Sequence, residues 1–294
     1  MKLRYSLREL EVFVAIARYG SVSRAADAIA ITQSAASQAL AKLERAFGQP
    51  LFDRCGRRLV LGAHGRLLWP RAQTLLDGAG QLQDMLAGGD AVSLHMGAST
   101  TIAGYLLPPM LVALRAAYPQ ARVRLMAGNT AEVIAAVAAL ELEFGLIEGA
   151  CHHPDLQASD WREDELVIIA PPGHPAARGH ASRDQLAAAA WLLREPGSGT
   201  RQEVERWLRA HVGAVRVDME LGNPEAIRRA VAAGLGLSCL SRHVVAEALA
   251  AGSVAQVRTS LPALSRPLRL VRHRDRAPTP GMRAFLALAG AALG

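Results

Sequence analysis

The sequence predicts a small helical domain at the N-terminus, a linker helix, and a larger C-terminal α/β domain of two lobes around a cleft. Three observations carry this prediction. The first 47 residues hold three stretches of helical periodicity with very short breaks. A glycine-rich break falls at LAGGDA (86–91), and short apolar runs then alternate with amphipathic stretches. A chain of 294 residues is long for one ordinary domain and comfortable for two. Hydrophobic residues make up 51% of it and charged residues 20%, which excludes disordered and fibrous classes.

Ser6 followed by Glu9 has capping-box spacing, and Leu10, Phe13, Val14 and Ile16 follow at helical intervals, so a helix is expected over 6–19. Gly20 breaks it, Ser21 or Ser23 can cap a short helix through Ala30, and Thr32 can cap a third that runs to Phe47 before Gly48. Three helices so closely joined form a helix-turn-helix core. In the third, Ala36, Leu40, Leu43 and Phe47 make one apolar stripe, which turns Gln33, Ser34, Ser37, Gln38, Lys42 and Arg45 outward. Leu51, Phe52 and Arg54, then Gly56, then Leu59 to Leu61 predict two short strands around a glycine turn. They would form a basic wing carrying Arg54, Arg57 and Arg58.

The first sixty residues hold ten basic and five acidic side chains, most of the net charge of +7, and point to a polyanionic partner. Short side chains on the third helix let its backbone approach the floor of a DNA major groove. There Gln can bond base edges, and Lys or Arg can reach phosphates. The other reading is a solvated face, which more often shows Glu and Lys four residues apart.

Over 66–86 the helical pattern returns. Leu68, Leu75 and Leu82 alternate with Ala72, Ala79 and Leu86 at a period of seven, a seam for a twin helix or for packing within the same chain. Gly78 and Gly80 weaken this helix. The expected division is a winged helix-turn-helix at 1–65, a dimerisation linker at 66–90 and an effector-binding domain at 91–294. Lobe I is expected at about 91–161 and 265–294, and lobe II at about 162–264.

In the third part, strands are expected at 92–97, 122–127 and 144–148 and at LVIIAP, AWLLRE, VDMELG and GLSCLS, with helices at 105–117 and 130–140. Such alternation argues for mainly parallel sheets. GASTTIAGYLLP (97–108) places Ser99, Thr100 and Thr101 between a strand and a helix, where hydroxyls and amide N–H groups favour an anion; plain N-capping is the alternative. REPGSGTRQEV (194–204) repeats the device: Ser198, Gly199 and Thr200 open a helix with Arg201 in its first turn, and Gly197 and Gly199 permit close approach. Its glycines lack the Lys-Ser/Thr ending of a P-loop. Glu148 ends a strand, so it either lines the cleft or begins a surface loop.

Cys55, Cys151 and Cys239 stand far apart without ligand spacing, which fits a reducing cytoplasm and predicts neither disulfides nor zinc. Cys151 reads as a small, partly buried residue, with a redox-sensing thiol as the other reading. Cys151, His152 and His153 are consecutive and cannot easily converge on one ion, so no metal and no cofactor are expected. No G-x-S-x-G elbow or metal-ligand pair occurs, and the chain does not read as an enzyme. Arg4, Arg8, Glu9 and Glu11 interrupt any signal-peptide core, and no apolar run of about 18 residues occurs. A cytoplasmic protein with no membrane association is expected.

Residues 6–65, including FVAIARYGSVSRAADAIAITQSAASQALAKLERAFGQPLFDR, resemble the winged helix-turn-helix of the LysR-type transcriptional regulators. ASTTIAGYLLP, GLIEGACHHPDL, WLLREPGSGTR and ELGNPEAIRRAVAAGLGLSCLSR resemble the effector domain of one branch of that family, the YeiE-like and CysL-like regulators associated with sulfite and sulfur assimilation. Gly62 stands where family members usually carry Thr, and Cys151 follows Ala150 where that branch has Pro. The resemblance implies that Gln33, Ser34, Ser37, Gln38 and Lys42 lie on the recognition helix and that Arg54 and Arg57 approach the DNA backbone or minor groove. It also implies an effector domain like the type 2 periplasmic binding proteins.

The resulting expectation is a homodimer or homotetramer that binds double-stranded DNA at an interrupted inverted repeat. A small anionic effector, sulfite or a related sulfur oxyanion first and a small organic acid second, would enter the cleft at Ser99, Thr100, Thr101, Glu148, Ser198, Gly199, Thr200 and Arg201. A solute-binding transport protein would account for 92–294 but not for the basic start of the chain.

Overall fold

The structure is a computed structural model and describes residues 4–55, 58–86 and 92–290. It divides into two compact units, Met1–Ser93 with His273–Thr279, and Leu94–Arg272 with Pro280–Gly294.

The first unit opens with α1 (Leu7–Tyr19), α2 (Val22–Ala28) and α3 (Gln33–Phe47). Their boundaries follow from local chemistry. The Ser6 N–H donates to the Glu9 carboxylate at 2.9 Å, Ser21 Oγ accepts from Arg24 N–H, and Thr32 Oγ1 accepts from Ala35 N–H at 3.2 Å. Gly20 and Gly48 end α1 and α3 in the left-handed region, at φ +64° and +70°. Leu10, Phe13, Ile16, Ala36, Leu40 and Leu43 meet in one core.

Phe47, expected on the buried stripe, remains 39% exposed. It is the last helical residue and lies against Tyr5, with ring centroids 5.2 Å apart. The wing follows as antiparallel strands β1 (Phe52–Cys55) and β2 (Arg58–Leu61), Phe52 opposite Leu61. Leu59 N–H donates to the Gly20 carbonyl at 3.0 Å and ties the wing to the end of α1.

The long helix α4 (Ala63–Leu86) carries Pro70 within it. Its expected seam is divided in this chain. Leu68 and Ala72 pack on the core of their own unit, whereas Leu75 and Leu82 are 52% and 62% exposed, beside an equally open Leu67. The side chain of Leu86 lies outside the described ones. Within the same unit Arg276 Nη2 pairs with Asp77 of α4 at 2.5 Å.

The second unit alternates strands and helices. In chain order these are β3 (Ser93–Ser99), a π-helical turn (Ile102–Leu106) running into α5 (Leu107–Ala117), β4 (Arg122–Gly128), α6 (Thr130–Ala138), β5 (Phe144–Glu148) and β6 (Leu156–Ala170). Then follow β7 (His180–Ala181), α7 (Arg183–Ala188), β8 (Ala190–Leu193), α8 (Gly199–His211), β9 (Arg216–Glu220), α9 (Pro224–Ala232), β10 (Ser238–Ser241) and α10 (Arg242–Ala250). The last are β11 (Ala255–Gln256), β12 (Arg258–Thr259), β13 (Leu264–His273) and α11 (Pro280–Ala289).

The main sheet runs β10-β6-β13-β5-β3-β4, with β11 also on β6. Strand β3 runs parallel to β5, but β13 is antiparallel to β5, and β10 and β11 are antiparallel to β6. The expectation of mainly parallel sheets is therefore corrected: the sheet is mixed. A βαβ crossover makes a parallel pair, whereas β6 and β13 carry the chain across between the lobes. The smaller pairs β8–β9 and β7–β12 are parallel.

Lobe I packs Val133 and Val137 of α6 on Ile147 and Val271. Among the described residues, lobe II packs one core around Trp191, Trp207 and Leu186 and another around Ile227, Val231, Leu240 and Val245. Trp191 Nε1, fully buried, donates to the Leu186 carbonyl at 2.9 Å. Among the described residues, no helix is long and apolar enough to cross a membrane.

Candidate functional site

Two places carry chemistry, one in each unit. On α3, Ala36, Leu40 and Leu43 are buried, and this orients the opposite face: Gln33, Ser34, Ser37 and Gln38 are all exposed. They project amide and hydroxyl groups on short arms, with no acid among them. Lys42 is exposed on the same helix, but its Nζ lies 2.5 Å from Oε1 of the buried Glu9. That bond holds the Glu9 carboxyl below the ordinary carboxylate value against the opposing effect of burial, and the Ser6 N–H assists. Lys42 therefore ties α3 to α1 while keeping its head at the surface. Arg54 and Arg58 stand exposed on the wing, and Arg57 lies outside the described residues.

In the second unit, the ends of β3 and β5 meet the start of α8. Met96 to Ala98 run parallel to Phe144 to Leu146, which brings Ser99, Thr100 and Thr101 beside Glu148. Glu148 is fully buried and ionised. Thr101 N–H donates to its Oε1 at 3.2 Å, and Thr200 Oγ1 and Arg266 Nη1 each donate to its Oε2 at 2.9 Å. Burial pushes this carboxyl up, but the charge of Arg266 and the bonds from Thr101 and Thr200 outweigh it and hold the group below its ordinary value. Glu148 thus neither lines an open cleft as a bare acid nor begins a surface loop.

Arg266, on β13, is the hub of this network. It also donates through Nε and Nη2 to Oδ2 of the buried Asp164 at 2.9 and 2.7 Å, and Ser241 Oγ donates to the other oxygen of Asp164 at 2.7 Å. Burial lowers the affinity of the guanidinium for its proton, yet Glu148 and Asp164 together raise it above its ordinary value.

The glycine-rich turn before α8 serves the protein first. A Cβ on Gly199 would sit 2.0 Å from the Glu148 carbonyl oxygen, so the first turn of α8 lies flush against the end of β5. Gly197, at φ +90°, abuts Asn129, and its carbonyl accepts from Ala131 N–H at 3.1 Å. The close approach expected at these glycines is made to the chain itself. Ser198 Oγ caps α8 by accepting from Arg201 N–H. Arg201 is spread over Glu205 at 2.7 Å, Glu220 at 2.5 Å and the Arg194 carbonyl at 2.9 Å.

Three buried polar atoms at this place have no partner among the described residues: Ser99 Oγ, Thr100 Oγ1 and Arg194 Nη1. Ser99 and Thr100 adjoin Thr101, which bonds Glu148, and the charge of Arg194 also lowers the Glu148 carboxyl. Arg194 is only 2% exposed and holds Glu195 through Nε and Nη2, both at 2.8 Å. A buried donor left unpaired costs about 1–3 kcal/mol, so such atoms mark where a ligand's oxygens would be welcome.

The sequence did not single out Arg194, Asp164, Ser241 or Arg266. The only signal for Arg194 was its place directly before the glycine-rich turn. Cys239 lines a separate cavity of about 290 Å³ with Trp207 and Val257, and burial pushes its thiol up to about 12, which leaves no reactive thiolate. Cys151 is half-buried beside the Val133 core.

A helix-turn-helix with an exposed polar recognition face and a basic wing, on one chain with a two-lobe ligand-binding fold, defines a DNA-binding transcriptional regulator that answers to a small molecule. Its relatives share that class. Residues 7–66 match the bacterial regulatory helix-turn-helix protein, lysR family, and residues 87–294 match the LysR substrate binding domain; the chain belongs to the LysR family. It is 44% identical over 284 residues to the uncharacterized HTH-type transcriptional regulator YeiE of Escherichia coli K12, covering 97% of each chain. To the HTH-type transcriptional regulator CysL of Bacillus subtilis it is 33% identical over 240 residues, 80% of each.

Among solved structures, a single-residue variant of full-length OxyR from Pseudomonas aeruginosa is similar with a TM-score of 0.70 at 25% identity, covering 97% of this chain and 93% of that one. The regulatory domain of CcmR from Synechocystis, in complex with 2-PG, gives 0.62 at 27% identity over 67% of this chain and 95% of its own. These relatives are regulators, and the chain is not an enzyme.

Proposed function

We propose that the protein couples occupancy of a small-oxyanion site to the DNA contacts made by α3 and the wing. The observation that carries this reading is the trio of unpartnered buried groups, Ser99 Oγ, Thr100 Oγ1 and Arg194 Nη1. They make the ligand contacts, while Thr101, Glu148, Ser198, Gly199, Thr200 and Arg201 form the frame that holds them. Sulfite or a related sulfur oxyanion is the first candidate, because the resemblance in 98–242 is to the branch associated with sulfite and sulfur assimilation. A small organic acid is the second, because hydroxyls and a helix N-terminus accept a carboxylate as readily as an oxyanion of sulfur.

The expected division is a DNA-binding domain at 1–65, a linker at 66–90 and an effector-binding domain at 91–294. The exposed Leu75 and Leu82 of α4 favour a homodimer, and such a dimer presents two recognition helices to an interrupted inverted repeat. Binding shifts the lobes, and with them the DNA-binding domains, by its differential affinity for the two arrangements.

Calorimetry on the full-length protein with sulfite, sulfate, thiosulfate and O-acetylserine tests the ligand. Ser99→Ala with Thr100→Val is expected to abolish the heat of whichever one binds, and undiminished binding removes both residues from the site. On the DNA side, Gln33→Ala and Ser37→Ala are each expected to cost about 1–3 kcal/mol of discrimination between operator and random sequence. Arg54→Ala is expected to weaken both DNAs alike and lower the slope of affinity against salt by about one. Discrimination that survives the double substitution would remove α3 as the reader.

A further inference from the structure

We infer that the site at Ser99, Thr100 and Arg194 admits a singly charged oxyanion and turns away a doubly charged one. The inference rests on the reading of this place as the effector site. It follows from where the positive charge is already committed. The wholly buried Arg266 stands between Glu148, at 2.9 Å, and Asp164, at 2.7 Å. Arg194 is held by Glu195 through two bonds of 2.8 Å. Arg201 is shared between Glu205 and Glu220. These three guanidinium groups face five carboxylates.

Little is left for a ligand: two neutral hydroxyls and one terminal nitrogen of Arg194. Those donors suit one delocalised negative charge. A second charge would meet guanidinium groups already paired with carboxylates and would lie beside Glu148, which its own partners keep ionised in a buried place where like charges repel strongly. A protonated ligand oxygen has the opposite effect. It brings a donor, and among the described residues Glu148 Oε1 accepts from the Thr101 N–H alone, at 3.2 Å, although a carboxylate oxygen can accept twice. Exclusion by like charge is a common source of selectivity among ligands of similar shape. A ligand whose second ionisation falls near neutrality is then recognised in its protonated form.

The test is calorimetry of the full-length protein under nitrogen with sulfite, methanesulfonate and sulfate, each at about pH 6 and about pH 8.5. Sulfite passes from mainly singly to mainly doubly charged between these values, whereas the other two keep their charge. His243 Nε2 lies 4.0 Å from Asp164 Oδ1, at the edge of the same network. The methanesulfonate arm therefore separates any effect of the protein's own protons.

The expected result is sulfite binding that weakens about tenfold or more at the higher pH, methanesulfonate binding that does not change, and no heat from sulfate. Glu148→Gln is expected to let sulfate in. If that variant does not fold, the two pH values for the unaltered protein decide alone. Sulfite binding equally tight or tighter at the higher pH, or sulfate matching methanesulfonate, overturns the charge selection and leaves the anion site standing. Silence from all three probes at both values overturns the anion site itself.

Discussion

At Arg266 two buried carboxylates share one guanidinium, so removing it strands both. Arg266→Leu is expected to cost about 3–5 kcal/mol of stability in denaturant unfolding followed by Trp fluorescence. Glu165→Ala, which breaks the solvent-exposed pair with Arg242, is expected to cost no more than about 1 kcal/mol. Glu148 adds a pH dependence of known sign. Its carboxyl lies below the ordinary value of 4.5 in the folded protein. It therefore stabilises the fold above that value, and its contribution is lost as pH falls through the lowered one. Acid unfolding followed by circular dichroism is expected to lose that share of its pH dependence in Glu148→Gln. None of this was legible in the sequence around Arg266. LSRPLRLVRH spaces arginines at 266, 269 and 272 alike, yet Arg269 meets the exposed Asp160 and Arg266 meets the buried Asp164, 102 residues away. Partners supplied by a distant strand leave no local mark. The hydroxyls of Ser99 and Thr100 were legible, because a strand running into a helix start has an intrinsic chemistry.

Elements defined by local forces are those that the sequence foretold best. Helices α1, α2 and α3 begin at Ser6, Ser21 and Thr32 because those side chains or their neighbours satisfy the first N–H groups, and two of them end at glycines in the left-handed region. The π-helical turn at Ile102–Leu106 and the fifteen-residue β6 were not foreseen, since both depend on what packs against them. Helix α4 yields a paired prediction. A Cβ on Gly65 would lie 2.1 Å from the Leu51 carbonyl oxygen, so Gly65→Ala forces apart the joint between wing and helix and is expected to cost about 1–3 kcal/mol. Gly78 has nothing within 4 Å of its would-be Cβ, and Gly78→Ala is expected to stabilise by about 0.5–1 kcal/mol through helix propensity alone. Melting temperatures that move together in the two variants would contradict this account of the helix.

For the whole molecule, the proposed dimer places Leu75 and Leu82 of α4 against a second copy. Leu75→Glu with Leu82→Glu is expected to halve the mass found by sedimentation equilibrium and to lower the affinity for a two-half-site operator far more than for a single half-site. An unchanged mass would assign these leucines to the surface. The two-lobe architecture was legible from alternation, but the manner of joining was not. The expected crossings, near 159–163 and near 264, fall within β6 and at the first residue of β13, and these two strands are neighbours in one sheet. A fifteen-residue strand spans about 50 Å. That strand and the ten-residue β13, bonded edge to edge, behave less like a door hinge than like a torsion bar: stiff within their plane, and compliant to rotation about their length. The motion available to the lobes is then a twist measured in degrees, whose displacement grows with distance from the ribbon. Its stiffness is set by the same row of backbone bonds that holds the sheet together.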